Sequence, residues 1–449
     1  MRPRIVVFAL ALVAAASIPV RDAGAQDAPP WVDESDVPLP SWTKSVSPSK
    51  SDAAVYLEPG KIEARRGSLQ LGARLPLYAT QRARGCGGRW LEVGPMAWVC
   101  SDVAEYSPDD PSWLPIGTRP WTSKEGTDFF ATRHIATTLM PPIAPAVATD
   151  DGLPFRYYFA AHDGVSGFRN LANALDDAPD QELEQGFSIA TLEERTAHGE
   201  SWVQSKKRRW FASRELVPVR SFLFHGVTLD DGTLDFAWVV TEKASVFGSE
   251  KGGTATGVRT RFEQVKTLEM KNAMMRIEDA RGQETWMRAK DLAHPHLQEA
   301  PREAAVNERW IDVDLAEQTL VAYKGARPVF ATIVSTGKGP KGSDTATPTG
   351  AHRIWVKIFT TKMDNLDKEE IEHHYAIEDV PYVQFFDKAV ALHGAFWHHD
   401  FGHVHSHGCV NLAPIDARWL FAFTGPHLPQ GWTAAYPTKL ELGTLVRVH

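Results

Sequence analysis

Between residues 393 and 412 the sequence reads HGAFWHHDFGHVHSHGCVNL, six histidines and one cysteine in one stretch. Two kinds of chemistry could use such a run. In the first, His403 and His405 together with His398, His399 and Asp400 supply nitrogen and carboxylate ligands to a zinc ion. No H-E-x-x-H and no paired C-x-x-C occurs elsewhere in the chain, and zinc sites built from a single loop are less common than sites that draw on separated elements. No metal is therefore assigned, and His398, His399, His403 and His405 are expected to form an exposed polar loop that lines the cleft. In the second, Cys409 is a nucleophile, which needs a base or a positive neighbour and partial exposure. His407 lies two positions away and His393 sixteen, so a strand end and a loop could bring an imidazole to the sulfur. Gly408 would let a substrate carbonyl approach and backbone N–H groups face a developing oxyanion. Ser406 and Asn411 add short hydrogen-bonding side chains that can fix the loop and the imidazole tautomer. Together these residues make a candidate acyl-transfer site.

A chain of 449 residues exceeds one ordinary core, and about three domains are expected. Its 43% hydrophobic and 23% charged residues are ordinary globular values, and a net charge of -8 with no arginine-rich tract argues against nucleic acid as a partner. The start, MRPRIVVFALALVAAASIPVRDAGA, has Arg2 and Arg4, then an apolar run from Ile5 to Ile18 and small residues up to Ala25. This is a secretory signal pattern over residues 1–25, with cleavage expected near Ala25. The run is shorter than the roughly twenty residues that span a bilayer, and no later stretch is apolar enough to do so. An exported protein of the periplasm or cell wall without a membrane span is expected. In an oxidising compartment Cys86 and Cys100, on either side of a turn and strand, are expected to form a disulfide, which leaves Cys409 over.

The elements that must position these residues read as mainly β. Residues 26–60, rich in Pro, Ser and Asp, read as a linker. Short alternating runs with Gly punctuation (SLQLGARLPLYA, RWLEVG, MAWVC) predict a small β-barrel module over 61–118. A second β-rich module over 119–232 carries a helix-like insert, FRNLANALDDAPDQELEQGF, and a third small barrel is expected over 233–300. From 307 to 449 the texture changes. WIDVDL, QTLVAY and PVFATIVS predict a β-meander, and STGKGPKGSDTATPTG lacks the spacing of a phosphate loop and reads as an ordinary one. AHRIWVKIF, VQFF and AVALHG follow as strands, DNLDKEEIEHHYAIEDV as an exposed segment helical in its first half, and ELGTLVRVH as a last strand. APIDARWLFAF has helical spacing, with Leu412, Ile415 and Trp419 on one face.

SHGCVNL, preceded by Leu392-His393-Gly394, resembles the active-site signature of L,D-transpeptidases with a YkuD-type catalytic domain, and WIDVDLAEQTLVAYKGARPVFATIVSTG with TPTGAHRIW resembles that domain's opening strands and loop. The likeness covers residues 307–449. The earlier units resemble, by pattern alone, bacterial Src-homology-like barrels. The resemblance implies a catalytic β-sandwich or barrel in which Cys409 is the nucleophile and His393 the proton donor and acceptor. Gly394 would orient the ring through its carbonyl, His407 would support it, and Ser406, Gly408 and Asn411 would shape the pocket and oxyanion site. Two departures stand out: Asn411 replaces the Arg of many members, and the interval from His393 to Ser406 is short. The implied substrates are peptidoglycan stem peptides. A tetrapeptide donor acylates the cysteine, and a stem amine, or a lysine of a wall-bound protein, accepts the acyl group with no cofactor. An L,D-carboxypeptidase or endopeptidase of the same thiol mechanism is the alternative, and a non-catalytic wall-binding or metal-binding protein the third. The resemblance further implies that a carbapenem forms a thioester with the cysteine.

Overall fold

The computed structural model describes residues 39–112, 151–364 except 198, 221 and 280, and 376–449. The expected signal segment, residues 26–38 of the expected linker, residues 113–150 at the junction of the expected first and second modules, and residues 365–375 of DNLDKEEIEHHYAIEDV lie outside these residues. The described chain is mainly β, and none of its helices is long and apolar enough to cross a membrane.

Two sheets and a helix enclose the C-terminal core. In the first sheet the meander Arg309–Asp314, Thr319–Lys324 and Arg327–Ile333 is extended by Leu445–Val448, parallel to Arg309–Asp314, and then by Gly350–Arg353. The second runs through Val356–Asp364, Ala376–Asp387, Val390–Gly394 and Val410–Leu412. Alternation sends Ile311, Val313, Leu320 and Ala322 of one sheet toward Tyr382, Leu392, Val410 and Leu412 of the other, and all of these are fully buried. AHRIWVKIF thus supplies two strands, one to each sheet, with the break at Ile354 and Trp355. The second half of the charged segment, AIEDV, is a strand in the interior of the second sheet.

The helix Pro414–Phe423 starts with Pro at its first turn, where a missing N–H costs nothing. Ala417, Leu420 and Phe421 are its buried face, while Ile415 and Trp419 are half-buried. The helix is covered on several sides, so the expected apolar face is not the deepest one. At its end the fully buried Lys357 ammonium donates to the Phe421 and Thr424 carbonyls, which gives both the charge and the orphan carbonyls their partners.

The three preceding units lie directly on this domain. In the first, Ser45–Pro48 pairs with Ala104–Ser107, and Ala53–Tyr56 with Arg65–Leu69 and Ala97–Cys100. Both opening strands fall inside the expected linker, so that expectation is corrected. Proline and serine lowered the apparent strand content, yet Val46, Ala53 and Val55 are fully buried. Arg65–Leu69 also pairs with Trp432–Ala435 of the C-terminal domain. A Cβ on Gly67 would lie 2.2 Å from the Ala434 carbonyl oxygen, so only glycine permits this approach.

The middle unit, from Arg156–Ala160 to Leu216–Pro218, joins the second sheet where Ser188 pairs in parallel with Ile377. Its insert is one short helix, Leu171–Leu175, followed by the strand Gln181–Leu183, so the longer helical reading is corrected. Val227–Thr228, expected within this unit, pairs instead with Arg327–Ile333 of the C-terminal domain. The third unit is a seven-stranded sheet between Phe236 and Ala293, and its Trp238 and Val240 share a core with Trp310, Val321 and Tyr323.

Cys86 and Cys100 are bonded, closing a loop with a sequence separation of 14. Such a loop restricts the unfolded chain by about 3 kcal/mol. The double variant Cys86→Ala/Cys100→Ala is expected to quicken hydrogen exchange of Trp90–Gly94 and Ala97–Cys100 roughly a hundredfold, with no change in strands of the third unit.

Candidate active site

Val390–Gly394 and Val410–Leu412 run in parallel, with Leu392 opposite Val410 and His393 opposite Asn411. Cys409 immediately precedes the second strand and receives a backbone hydrogen bond from Ala391, two residues before His393. Side chains two apart share a face of a strand. The pairing therefore sets the histidine and the cysteine on neighbouring strands although sixteen residues separate them in sequence.

His393 is buried, and its Nδ1 lies 3.2 Å from the Gly394 carbonyl oxygen. A carbonyl only accepts, so Nδ1 carries the ring proton and the Nε2 lone pair is left for another proton. Trp397 stacks along the ring with centroids 5.7 Å apart. Burial pushes His393 down to about 4, against a smaller upward pull from the Gly394 bond. Cys409 keeps part of its surface open to solvent, while its packed surroundings push the thiol up to about 11, the Ala391 bond opposing. At neutral pH the pair is a neutral imidazole and a protonated thiol, not a preformed ion pair. Such a pair can move one proton from sulfur to nitrogen as a carbonyl is attacked.

The turn before the cysteine is fixed by its own backbone. Gly408 has φ +125°, a left-handed conformation suited to glycine. The Gly408 carbonyl accepts from Thr347 Oγ1 at 2.8 Å, and Thr347 Oγ1 in turn accepts from the Gly337 N–H at 2.9 Å. Ser406 Oγ donates to the Cys409 carbonyl and accepts the Gly408 N–H at 3.1 Å. That N–H is thereby committed within the turn. His405 and Ser406 donate their N–H groups to the Thr336 carbonyl, and Lys338 donates to that of Ser406. The Gly- and Pro-rich loop is thus a brace for the cysteine turn. Thr347 was not singled out in the sequence, although the repeated Thr of ATPTG marked a hydroxyl-rich turn. His407 lies exposed at the outside of the same turn.

Of the remaining histidines, His399 and His403 are exposed as expected, while His398 is buried and His405 half-buried, so the exposed-loop expectation is corrected for those two. Phe222 stacks on His399 at 4.2 Å and on Phe401 at 5.7 Å. Arg261 of the third unit donates to the Phe401 carbonyl at 3.2 Å and approaches His403 Nδ1 at 3.4 Å. His398 is buried, stacks on His405 at 4.0 Å and is pushed down to about 3, first by burial and then by its neighbouring His405.

His398, Asp400 and His405 each offer a ligand atom within 4.8 Å of the others. The lone pairs are already in use, however. His398 Nδ1 accepts the Asp400 N–H at 3.1 Å, so its proton is on Nε2, 2.9 Å from the Asn411 amide. The Asn411 Oδ1 atom, otherwise without a partner, meets this proton when the amide is turned about its axis. His405 Nδ1 lies 2.9 Å from Asp400 Oδ2. The cluster is wired as a hydrogen-bond network that ends on Asn411, opposite His393.

Residues 308–448 match the family model described as the YkuD L,D-transpeptidase catalytic domain. The match spans about a third of the chain. Among solved structures, the domain is similar to an L,D-transpeptidase of Stackebrandtia nassauensis (27% identity, 34% of this chain and 58% of that one, TM-score 0.24). It is similar also to one of Xylanimonas cellulosilytica (19% identity, 34% and 64%, TM-score 0.23). The catalytic domain of the E. faecium enzyme is matched over its whole length (25% identity, 32% of this chain, TM-score 0.24). The chain spans about three fifths of the first two. No curated protein matches it. The three units that precede these residues lie outside the family match.

Proposed function

We propose that the chain is an exported peptidoglycan L,D-transpeptidase that forms 3,3 cross-links through an acyl-enzyme on Cys409. The observation that carries this reading is the parallel pairing of the His393 and Cys409 strands inside the residues that match the YkuD family model. His393 Nε2 takes the thiol proton as sulfur attacks the carbonyl of the third residue of a tetrapeptide stem. The tetrahedral adduct collapses to a thioester, and the terminal D-alanine leaves with the proton that His393 returns. An amine from a second stem then gives its proton to His393 and attacks the thioester, which restores the thiol. Asn411 and His398 hold the strand opposite His393, and His407 supports the site from the outside of the turn. The disulfide Cys86–Cys100 favours an oxidising compartment, in keeping with a leader over residues 1–25. The preceding units hold the catalytic domain on the wall.

Purified disaccharide-tetrapeptides with an amine-bearing acceptor separate the two outcomes of the same acyl-enzyme. A transpeptidase yields 3,3-linked dimers by mass spectrometry, and a carboxypeptidase or endopeptidase yields trimmed monomers only.

The pH dependence follows from the two shifts. His393 is lowered, so it stays a competent base until the pH falls to about 4, and Cys409 is raised, so it stays protonated up to about 11. Wild-type acylation is expected to stay flat from about pH 5 to 9, without the step near 6.5 that an ordinary histidine gives. Stopped-flow acylation across that range checks it.

A further inference from the structure

The middle unit lies outside the matched family domain, yet its side chains converge on one short segment behind the candidate base. That segment is Asp379–Tyr382, in the strand Ala376–Asp387, which pairs with the His393 strand. Asp379 has φ +53° and Tyr382 φ +61°, with Pro381 between them. Left-handed conformations at non-glycine residues persist only where the surroundings enforce them.

Three of the enforcing groups, Tyr157, Ser188 and Lys206, come from the middle unit. Tyr157 Oη donates to the Asp379 carbonyl at 2.7 Å, and the Lys206 ammonium is paired with the Asp379 carboxylate. The same ammonium donates to Thr360 Oγ1 at 3.1 Å, and Thr360 donates to Asp379 Oδ1 at 2.8 Å. Ser188 Oγ accepts the Glu378 N–H at 3.0 Å, and the Gly152 carbonyl accepts from Tyr382 Oη at 2.9 Å.

Two routes lead from this kink to His393. The first is backbone packing. A methyl group added to Gly394 would lie 3.1 Å from the Pro381 ring and 3.5 Å from its carbonyl oxygen, so the kinked segment touches the residue whose carbonyl holds His393 Nδ1. The second is a series of rings. Tyr157 meets Phe396 at 4.2 Å, Phe396 meets Trp397 at 5.2 Å, and Trp397 lies along His393 at 5.7 Å. Both routes start at Tyr157 and end on the imidazole.

We infer that Tyr157 and Lys206 of the middle unit are positioning residues for His393, acting through the Asp379–Tyr382 kink and the Phe396–Trp397 rings. The middle unit is then part of the catalytic apparatus and not solely a wall anchor. The inference rests on the acyl-transfer reading of the site. Misplacement of a base by about an ångström costs up to about a hundredfold in rate without altering donor binding.

The test uses the full chain with Lys206→Met, Tyr157→Phe and the pair together. Single-turnover acylation of Cys409 by a carbapenem is followed by intact mass, and kcat and KM are measured for a tetrapeptide donor. The expected result is a loss of about ten- to a hundredfold in the acylation rate and in kcat, with KM within about twofold of wild type and Lys206→Arg recovering most of the rate. A purely structural role lowers melting temperature but leaves the rate per folded molecule unchanged, and that result overturns the inference. Should Lys206→Met fail to fold, Tyr157→Phe, which loses one hydroxyl, carries the same comparison. A wild-type chain that acylates while the folded variants match it overturns this role alone. A wild-type chain that takes no acyl group overturns the functional reading, and this role with it.

Discussion

Cys409→Ala is expected to abolish both the thioester and all cross-linked product, leaving a folded chain. Ser406 is the hydroxyl closest in sequence to Cys409, and it cannot substitute. Its Oγ is held between the Cys409 carbonyl and the Gly408 N–H, and moving it would undo the turn. The replacement itself is mild for the fold, because Cys409 is only partly buried at the margin of its apolar cluster. Cys409→Ser should be almost as inactive, since a hydroxyl is far harder to deprotonate than a thiol and the buried His393 is a weak base. Reverse-phase separation of muropeptides after overnight incubation checks the loss of product, and circular dichroism checks the fold.

His393→Gln is expected to lower acylation by about 10² to 10⁴, the usual contribution of a positioned base. Its pH dependence should change as well. With no imidazole to receive the proton, only the thiolate reacts, and the thiolate fraction of a thiol near 11 rises tenfold per pH unit below that value. A wild-type profile that is flat near neutrality should become a line of unit slope in the variant. Glutamine keeps a polar side chain beside the Gly394 carbonyl and Trp397, so a large loss is not explained by a collapsed pocket. The same protonation states bear on thiol reagents: a neutral Cys409 alkylates slowly at neutral pH, and slow alkylation there is no sign of an inert cysteine.

Local signals carried much of the architecture. Alternation in WIDVDL and QTLVAY marks strands whose buried faces meet in the C-terminal core, and the two cysteines of RGCGGRWLEVGPMAWVC are bonded. The motif around Cys409 was legible because its residue types are dictated by the turn: a glycine at φ +125° and a serine that closes it on both sides.

What was hidden depends on partners far away in sequence. His398 read as part of an exposed loop but is buried against Phe401 and His405, in a run held from outside by Phe222, more than 170 positions upstream, on His399 and by Arg261 of the third unit on the Phe401 carbonyl. Ser45–Pro48 read as linker because its composition is that of one, while its backbone pairs with Ala104–Ser107 and Leu75–Pro76. The kink at Asp379 has no sequence mark apart from Pro381, since its cause is a tyrosine and a lysine in another unit. Periodicity reports which face of an element is buried, and it is silent on what buries it.

The most direct test of the account is the intact mass of the full chain after brief exposure to a carbapenem, followed by peptide mapping. The account predicts one added acyl group, located on the peptide that contains Cys409, absent in Cys409→Ala and slow to form in His393→Gln. An unmodified wild-type chain, or an equal mass increase in Cys409→Ala, would contradict it.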